Sequence, residues 1–574
     1  MRLTSLVIEN FRSITSLTID FDPNITVILG QNNTGKTAIL EAIACALDPR
    51  VGPRAQTPRF NVWDFRIDDQ AQQQTKFSFT FLFKEATPGE WNQETVSSVG
   101  EAVQTEAGIA GAAGLKSIKL RVTGRLSGSK VDHDTEFLDL KDQVIASAKS
   151  AVSKLRKLRP AFYMPALRDP SREFARNATY WTPFIRDNTI GAAKRTQLEN
   201  DIGKVNDDLI AAHTPFATAK KHLSTIGKTV DSNSNSDLRF EPFPPRLADL
   251  LGRTQVAATS PSGAWVPLER HGEGTQSTAV LLLFRAYCES QLAEAMDNDE
   301  ASPIICIEEP EAHLHPHAAK ALWAELMALP GQKIIATHSG DLVSRGFPTY
   351  LRRLQASTRT TGGSPGKITS LAVLTHGARA FQTRLRRGRG DLLFSRMWLL
   401  VEGETEVLLF EGIAEILDYD LDQLGIAIIP YREGLSIQPV IELADELGIA
   451  WFAVPDDDPQ QGQTDQLHIR ARPTFGTMGD IRVIPAHGAE EYLWDNGYEQ
   501  AYEAMMTVHQ RQNLPTPPST YEPYRNAVIK AATKTKSKPG AANIVLALMR
   551  ATPTSIPALL VSLIHDAVSF ARRF

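Results

Sequence analysis

Cysteine is scarce in this chain. Its three thiols, Cys45, Cys288 and Cys306, lie scattered among apolar neighbours in 574 residues. That spacing excludes a disulfide framework and a Cys-type metal site, and it points to a reducing compartment. No run approaches the ~18 consecutive apolar residues of a membrane helix, so no membrane is expected as a partner. The first residues, MRLTSLVIENF, carry no long apolar stretch. A signal peptide is therefore not expected, and the cytoplasm is the expected location. An excess of one charge is lacking too: 61 Lys and Arg against 66 Asp and Glu leave a net −5. That balance argues against a generic basic nucleic-acid binder but leaves room for a local basic groove. Internal repeats are also missing. What the chain has is length, too much for one ordinary core, so two or three domains are expected.

Hydrophobic periodicity sketches the elements. Residues 3–8 and 16–22 read as strands of a hairpin-like start, 24–29 as a buried strand and 36–47 as an amphipathic helix. FSFTFLFK (77–84) and residues 117–123 alternate as antiparallel strands with one buried face do. Residues 161–165 are a further strand candidate. The polar, charged AAKRTQLENDIGKVNDDLIAAH and the DSNSNSD after it read as a helical insertion leaving the main sheet, placed at 170–236. A solvated helical hairpin without a partner is the alternative. Residues 276–295 form a strong helical pattern, and 303–307 and 333–336 are buried strands. A linker rich in Gly, Ser, Thr and Arg spans about 353–389. Beyond it, strand candidates at 398–402, 426–430, 450–455 and 481–484 alternate with helices, the pattern of a parallel sheet. From about 498 the chain is mostly helical. The expected fold is α/β, divided into 1–388 and 389–574.

GQNNTGKT (30–37) fits the phosphate-loop pattern G-x-x-x-x-G-K-[ST] between a strand and a helix. Gly30 and Gly35 let the backbone curl so that successive N–H groups, those of Asn32 and Asn33 among them, point inward as an anion nest. Lys36 supplies charge for the β- and γ-phosphates of ATP, and Thr37 offers a hydroxyl to Mg²⁺. The helix that follows sets its positive end against the phosphates. PIICIEEPEAHLHP (303–316) is an apolar strand ending in two carboxylates. Glu308 is placed to hold Mg²⁺ through water, and Glu309 to polarise the attacking water. A solvated strand end is the plainer reading of the pair, which the lysine loop outweighs. His338, after the next strand in KIIATHS, could sense the γ-phosphate; a structural histidine is an equal alternative. His313, His315 and His317 alternate, but Pro316 breaks a regular helix there and no zinc pattern accompanies them. They read as structural or interface residues.

A second constellation uses carboxylates. LLVEGETE ends a strand with Glu402 and opens a helix carrying Glu406; WFAVPDDDPQQG ends another strand with Asp456, Asp457 and Asp458. Asp456 and Asp458 point the same way if the strand continues. Such acids gathered at one edge of a parallel sheet repel one another, and divalent cations with a taste for oxygen relieve that repulsion. A pair of ions there suits phosphodiester hydrolysis. Any one of these acids alone would more often be a solvated loop residue.

ERHGEGTQSTAVLLLFRAY (269–287) resembles the signature loop of ABC-type ATPases, which contacts the nucleotide of a second subunit. The match rests on Gly274 and Gln276, with Gly272 in the serine position and His271 in the leucine position. A glycine-rich N-terminus of a core helix is the alternative. With Arg12 in ENFRS, the lysine loop and EEPEAHLHP, residues 1–350 resemble the RecF/SMC branch of that superfamily. The carboxylate segment resembles a Toprim domain. An ABC-type ATPase with a helical insertion, then a Toprim Rossmann-like domain with C-terminal helices, is the architecture of the OLD (overcoming lysogenization defect) nucleases; FYMPALRDP (162–170) resembles their ATPase region too. The resemblance implies that Glu402, Glu406, Asp456 and Asp458 bind two Mg²⁺ or Mn²⁺ ions beside the single ion carried with ATP. It adds Glu490 of HGAEEYLWDNGY as a ligand, with Glu491 close behind. It also makes Lys538 of KTKSKPGAANIVLAL the residue stabilising the transition state, with Lys534 and Lys536 as rivals. One departure stands out: Toprim usually reads D-x-D-x-x-G, but Gln461 holds the glycine position and Gly462 follows.

The implied protein is an ATP-regulated, metal-dependent DNA endonuclease, in anti-phage defence or DNA processing. It would be at least a homodimer, with the insertion as dimerisation element. DNA contacts are expected from dispersed Arg and Lys, such as those in RLRRGRG (384–390), a run for which a plain linker is an equal alternative. Gabija-type members of the family work with a UvrD-like helicase, so such a partner is implied as well. A DNA-binding ATPase clamp or scaffold with a non-catalytic Toprim domain is the rival reading. A topoisomerase-like strand breaker would need a nucleophilic tyrosine, and Tyr492 and Tyr498 stand in no such motif.

Overall fold

The computed structural model describes residues 1–30, 34–49, 60–68, 70–106, 114–166, 173–174, 178, 180–185, 190–215, 218–219, 241–260, 262–345, 350–354, 368–370, 390–432, 436–459, 461–512, 514, 522–534 and 539–574. Asn32, Asn33, most of the RLRRGRG run, Lys536 and Lys538 fall outside them, as does much of the span 170–236. Within that span the described part includes one long helix, Ala192–Ala212.

The chain opens as an antiparallel sheet. β1 (Arg2–Phe11) and β2 (Ile14–Asp20) form a hairpin, and β3 (Ile25–Gly30) leaves for a second sheet. β4 (Lys76–Lys84), β5 (Gln104–Thr105), β6 (Lys116–Ser127) and β7 (Lys130–Leu138) return to the first. Its order is β2-β1-β4-β6-β5, with β7 also on β6. The period-2 reading of 77–84 has a direct physical outcome: Phe77, Phe79, Phe81 and Phe83 are all buried on one face. Phe11 lies 4.7 Å from Phe79, ring centre to centre, edge to face. Burying each ring stabilises the sheet by about 1.5–3 kcal/mol. β7 carried no prior expectation, because its alternation in KVDHDTEFL is of polar and charged residues.

The second sheet is mainly parallel and runs β14-β13-β3-β12-β11-β8. Its members are β8 (Ala161–Met164), β11 (Ile304–Glu308), β12 (Gln332–Ala336), β13 (Leu351–Leu354) and β14 (Ile368–Ser370). A small hairpin of β9 (Ala257–Thr259) and β10 (Trp265–Pro267) stands apart from it. The supposed linker therefore begins inside a strand: β13 pairs in parallel with β3. Its four residues LRRL, two of them arginines, conceal that role, yet all four are buried. The helix expected at 276–295 starts earlier, at Glu273, and breaks at Gln291 into Glu273–Ser290 and Leu292–Met296. Pro316 does not break a helix but begins one, Pro316–Ala328, because a first-turn proline lacks only an N–H that would be unpaired anyway.

The last sheet is parallel, in order β16-β15-β17-β18. Its strands are β15 (Met397–Val401), β16 (Ile426–Pro430), β17 (Ala450–Val454) and β18 (Gly479–Ile481). β18 ends earlier than its apolar pattern suggests, since Arg482–Ile484 leaves the ladder and Ile484 returns only as a single bridge to Asp456. β15 and β17 are buried throughout, as expected for strands covered on both faces. C-terminal helices, among them Pro539–Ala551 and Ala558–Ala571, close one face of this sheet. The other face shares a core with the second sheet, where Trp398 and Trp451 join Ile25, Val27 and Ile335.

Candidate functional site

The first site forms where β3, β12 and β11 end side by side. Register pairs Ile28 with Ala336 and Ala336 with Glu308, so the lysine loop, Glu308 and His338 leave neighbouring strand ends. That carboxyl edge is where open α/β sheets bind ligands. Gly35, at φ 99°, makes the left-handed turn into the Lys36–Leu47 helix. Lys36 Nζ donates to the Gly30 carbonyl at 2.8 Å. Burial lowers the Lys36 pKa to about 8, against the opposing pull of Glu309 and Glu308. The Thr37 hydroxyl donates to Glu308, whose other oxygen accepts the Tyr163 hydroxyl at 2.5 Å. His338 Nε2 lies 3.7 Å from Glu309 Oε1. Glu309 itself holds φ 41°, an uncommon conformation for a non-glycine residue. With Arg12, Ser13, Gly35, Ala38 and Ala336, the side chains of Lys36, Thr37, Glu308, Glu309 and His338 line a cleft of about 450 Å³. A buried lysine facing two carboxylates is suited to a phosphate with a cation beside it.

The structure does not bring the signature-like loop to this cleft: Gly272, Gly274 and Gln276 are not among its lining residues. Gln276 Nε2 instead donates to the carbonyls of Glu269 at 3.1 Å and His271 at 2.6 Å. His271 Nε2 lies 3.2 Å from the carbonyls of Ala258 and Val266, tying the loop to the β9–β10 hairpin. His313 pairs with Glu273 at 2.7 Å. Two groups at the cleft escaped notice in the sequence. Tyr163 reaches Glu308 from the neighbouring strand, and Glu311 accepts the His338 and Ser339 N–H groups, each at 3.1 Å, and the Thr337 hydroxyl at 2.6 Å.

The second site lies at the carboxyl edge of the last sheet. Register sets Val401 beside both Pro430 and Val454, so Glu402, Arg432 and Asp456 emerge together. Glu402 is buried, and its Oε1 accepts the Asp456 N–H at 3.1 Å and the Tyr431 hydroxyl at 3.4 Å. Glu406, buried one turn into the Glu404–Ile416 helix, accepts the Gly403 N–H at 2.9 Å. The Thr405 hydroxyl donates to Glu490 at 3.1 Å. Glu490 and Asp456 converge on Gly488, where a Cβ would stand 3.4 Å from Glu490 Oε2 and 3.8 Å from Asp456 Oδ2. Glu491 turns away to Arg525 and the His487 N–H. Asp457 faces away too, and its Oδ1 accepts from Gln466 Nε2 at 3.4 Å.

Electrostatics here run against ionisation. Burial, then the charges of Glu490 and Glu402, raise the Glu406 pKa to about 7. Burial with Glu402 and Glu406 nearby drives Asp456 well above the carboxylate range, and Glu402 is raised by burial as well. Among the described residues Asp456 Oδ1 is buried without a hydrogen-bond partner. Among the described residues no three His, Cys, Asp or Glu side chains already stand in ligating geometry round one point. The donor set nevertheless fits a hard divalent cation: all-oxygen, mutually repelling, with one orphaned buried oxygen.

The extra residue of the D-x-D loop is resolved by contact. Gly462 N–H donates to Asp458 Oδ2 at 3.1 Å, and a Cβ on Gly462 would meet the Asp456 carbonyl oxygen at 2.2 Å. The glycine requirement has moved one position along, from 461 to 462. Sequence reading missed Arg432 and also Asp465, whose buried Oδ2 has no hydrogen-bond partner among the described residues. Arg432 follows β16 by two residues, the position in which a polar group at a predicted strand end would have signalled it. Tyr498 donates its hydroxyl to the Ser555 carbonyl at 2.9 Å and is buried, which does not suit an attacking group.

Fold and sites together define an α/β domain built round a phosphate-loop pattern, followed by a Toprim domain. Residues 1–362 match the family described as "Protein of unknown function (DUF2813)", and residues 393–458 match "Overcoming lysogenization defect protein-like, TOPRIM domain". The chain belongs to the first of these families, and its two-part architecture is that of the OLD family. It is similar to "Uncharacterized protein YbjD" of Escherichia coli, 24% identical over 588 residues, covering 100% of this chain and 99% of that one. It is 22% identical over 485 residues to "Old nuclease" of Escherichia phage P2, covering 80% and 77%. It is 24% identical over 484 residues to "OLD nuclease" of Thermus scotoductus, covering 79% and 82%.

Proposed function

We propose that the chain is an ATP-regulated, divalent-metal-dependent DNA endonuclease acting in anti-phage defence or DNA processing. The observation that carries this reading is the buried, partly unpartnered Asp456 beside Glu402 and Glu406 at one sheet edge. Burying such acids together is costly unless a cation is to be held there. Glu402, Glu406, Asp456, Asp458 and Glu490 would hold Mg²⁺ or Mn²⁺, which when bound supplies an activated water and a counter-charge for the leaving oxygen. The protein's own part is to hold those oxygens in place. The backbone N–H groups of Gly403, Asp456 and Gly462 orient Glu406, Glu402 and Asp458. Lys538 is assigned to the transition-state charge.

At the first cleft Lys36 and the loop N–H groups bind the phosphates of ATP, and Thr37 and Glu308 hold its Mg²⁺. Glu309 orients water, and His338 faces the terminal phosphate. Gly272, Gly274 and Gln276 serve the nucleotide of a second copy, which makes the active form a dimer at least. DNA is the substrate; a UvrD-like helicase is a further partner within this proposal.

The test is plasmid nicking with Mg²⁺ or Mn²⁺ by the purified full chain. Asp456→Ala and Glu402→Ala should abolish nicking and spare ATP binding. Wild-type nicking by Asp456→Ala would sink the site assignment. The clamp or scaffold reading draws on a specific observation as well: among the described residues no ligating trio is already assembled. It predicts DNA binding without nicking by the wild-type chain.

A further inference from the structure

The last sheet places a side-chain cation among the acids. Arg432 lies two residues past the end of β16, beside Glu402, whose carbonyl accepts its backbone N–H at 3.0 Å. Its guanidinium pairs through Nη1 with the Glu402 carboxylate, and Nη2 donates to Asp458 Oδ2 at 3.2 Å. One planar fork thus spans two acids from different strand ends. The pair is asymmetric in exposure: the Glu402 side chain is 7% exposed, Arg432 33% and Asp458 21%. The guanidinium therefore closes the solvent side of a buried acidic pocket, and it is free to withdraw into water where the carboxylates are not. The pairing also leaves the inner acids unsatisfied. Asp456 Oδ1 has no partner among the described residues, and Glu406 faces Glu490. A structural ion pair has no need of such an arrangement, since one arginine cannot neutralise five acids.

Resting on the nuclease reading above, we propose that Arg432 is an internal counter-cation for that site. It bridges Glu402 and Asp458 while no divalent ion is present, competes with the ion for the same oxygens, and swings outward when the ion enters. Ion affinity is thereby set below what the acids alone would give, and the acids are kept from splaying apart.

The experiment measures Mn²⁺ binding to the full chain without DNA or nucleotide, by calorimetry and by the electron paramagnetic resonance signal of free Mn²⁺. Wild type, Arg432→Met, Arg432→Lys and Asp456→Asn are compared, with melting in EDTA to establish folding. Arg432→Met should tighten the Asp456-dependent binding about tenfold, the size expected when one partly exposed, two-pronged ion pair no longer has to be broken. Arg432→Lys, a point charge without the fork, should fall between Met and wild type. If Arg432→Met does not fold, the Lys variant carries the comparison alone. Asp456-dependent binding that is unchanged or weaker in the Arg432 variants overturns this inference and leaves the nuclease site standing. Mn²⁺ binding indifferent to Asp456→Asn in every background overturns both.

Discussion

Replacing Arg353 by Met should loosen the joint between the two halves of the chain. Arg353 sits in β13, beside β3 of the ATPase sheet, and is buried. Its guanidinium reaches across to the Toprim half: Nε donates to the Leu393 carbonyl at 3.1 Å and Nη2 to Ser395 at 2.8 Å. Nη1 donates to Leu447 at 3.2 Å and Gly448 at 3.1 Å. Among the described residues no carboxylate accompanies these bonds, and burial alone pulls the arginine pKa down to about 10. Methionine keeps much of the apolar stem but removes the four bonds that cross the joint. Each bond from the guanidinium is worth roughly 1–3 kcal/mol, less where another donor or water serves the carbonyl, so a net loss of about 3–5 kcal/mol is expected. Urea unfolding followed by tryptophan fluorescence reads this directly, since Trp398 and Trp451 lie in the shared core. The transition should move to lower urea and broaden or split as the halves unfold separately. A shift worth less than about 1 kcal/mol, with one sharp transition, would refute the claim that this arginine joins the halves.

Two further outcomes are expected. Lys36→Ala removes a side-chain cation placed against Glu308 and Glu309 in the cleft; titration with a fluorescent ATP analogue should show binding weakened by more than tenfold, about 1.4 kcal/mol, and unchanged binding would count against the phosphate-loop assignment. Buried Glu85 accepts the Trp91 and Lys116 N–H groups at 2.9 and 2.8 Å; burial alone would raise its pKa, but those donors outweigh it and the folded value lies below the ordinary 4.5. A depressed carboxyl stabilises the fold above pH 4.5 and loses that contribution as pH falls through the folded value. Glu85→Gln should therefore cost about 1–3 kcal/mol at pH 7 by chemical denaturation, with the gap to wild type closing below pH 4; a gap independent of pH would contradict this.

The two chemical sites were legible from short local patterns because each consists of a strand end followed by a polar turn. The strand at 24–29, the helix at 36–47 and the acids at 402, 406, 456 and 458 all follow from periodicity and residue type. Where the reading slipped, the cause was a partner distant in the chain. β13 looked like linker because LRRL is half arginine, and only β3 beside it and the carbonyls beyond it make those arginines core. Helix 273–290 starts before its apolar residues, where Gly274 packs closely against the His313 carbonyl and Glu273 pairs with His313, forty residues on.

Sequence alone determined the phosphate loop, the acidic strand ends and the α/β class, because those depend on steric and charge rules acting within a few residues. Tertiary structure alone decided which strands lie next to one another. It thereby decided that Glu402, Arg432 and Asp456 share an edge, that Glu490 faces them while Glu491 does not, and that Gly462 takes over the glycine role. Those facts arise from parallel register and close packing between segments tens of residues apart, and no local pattern encodes them.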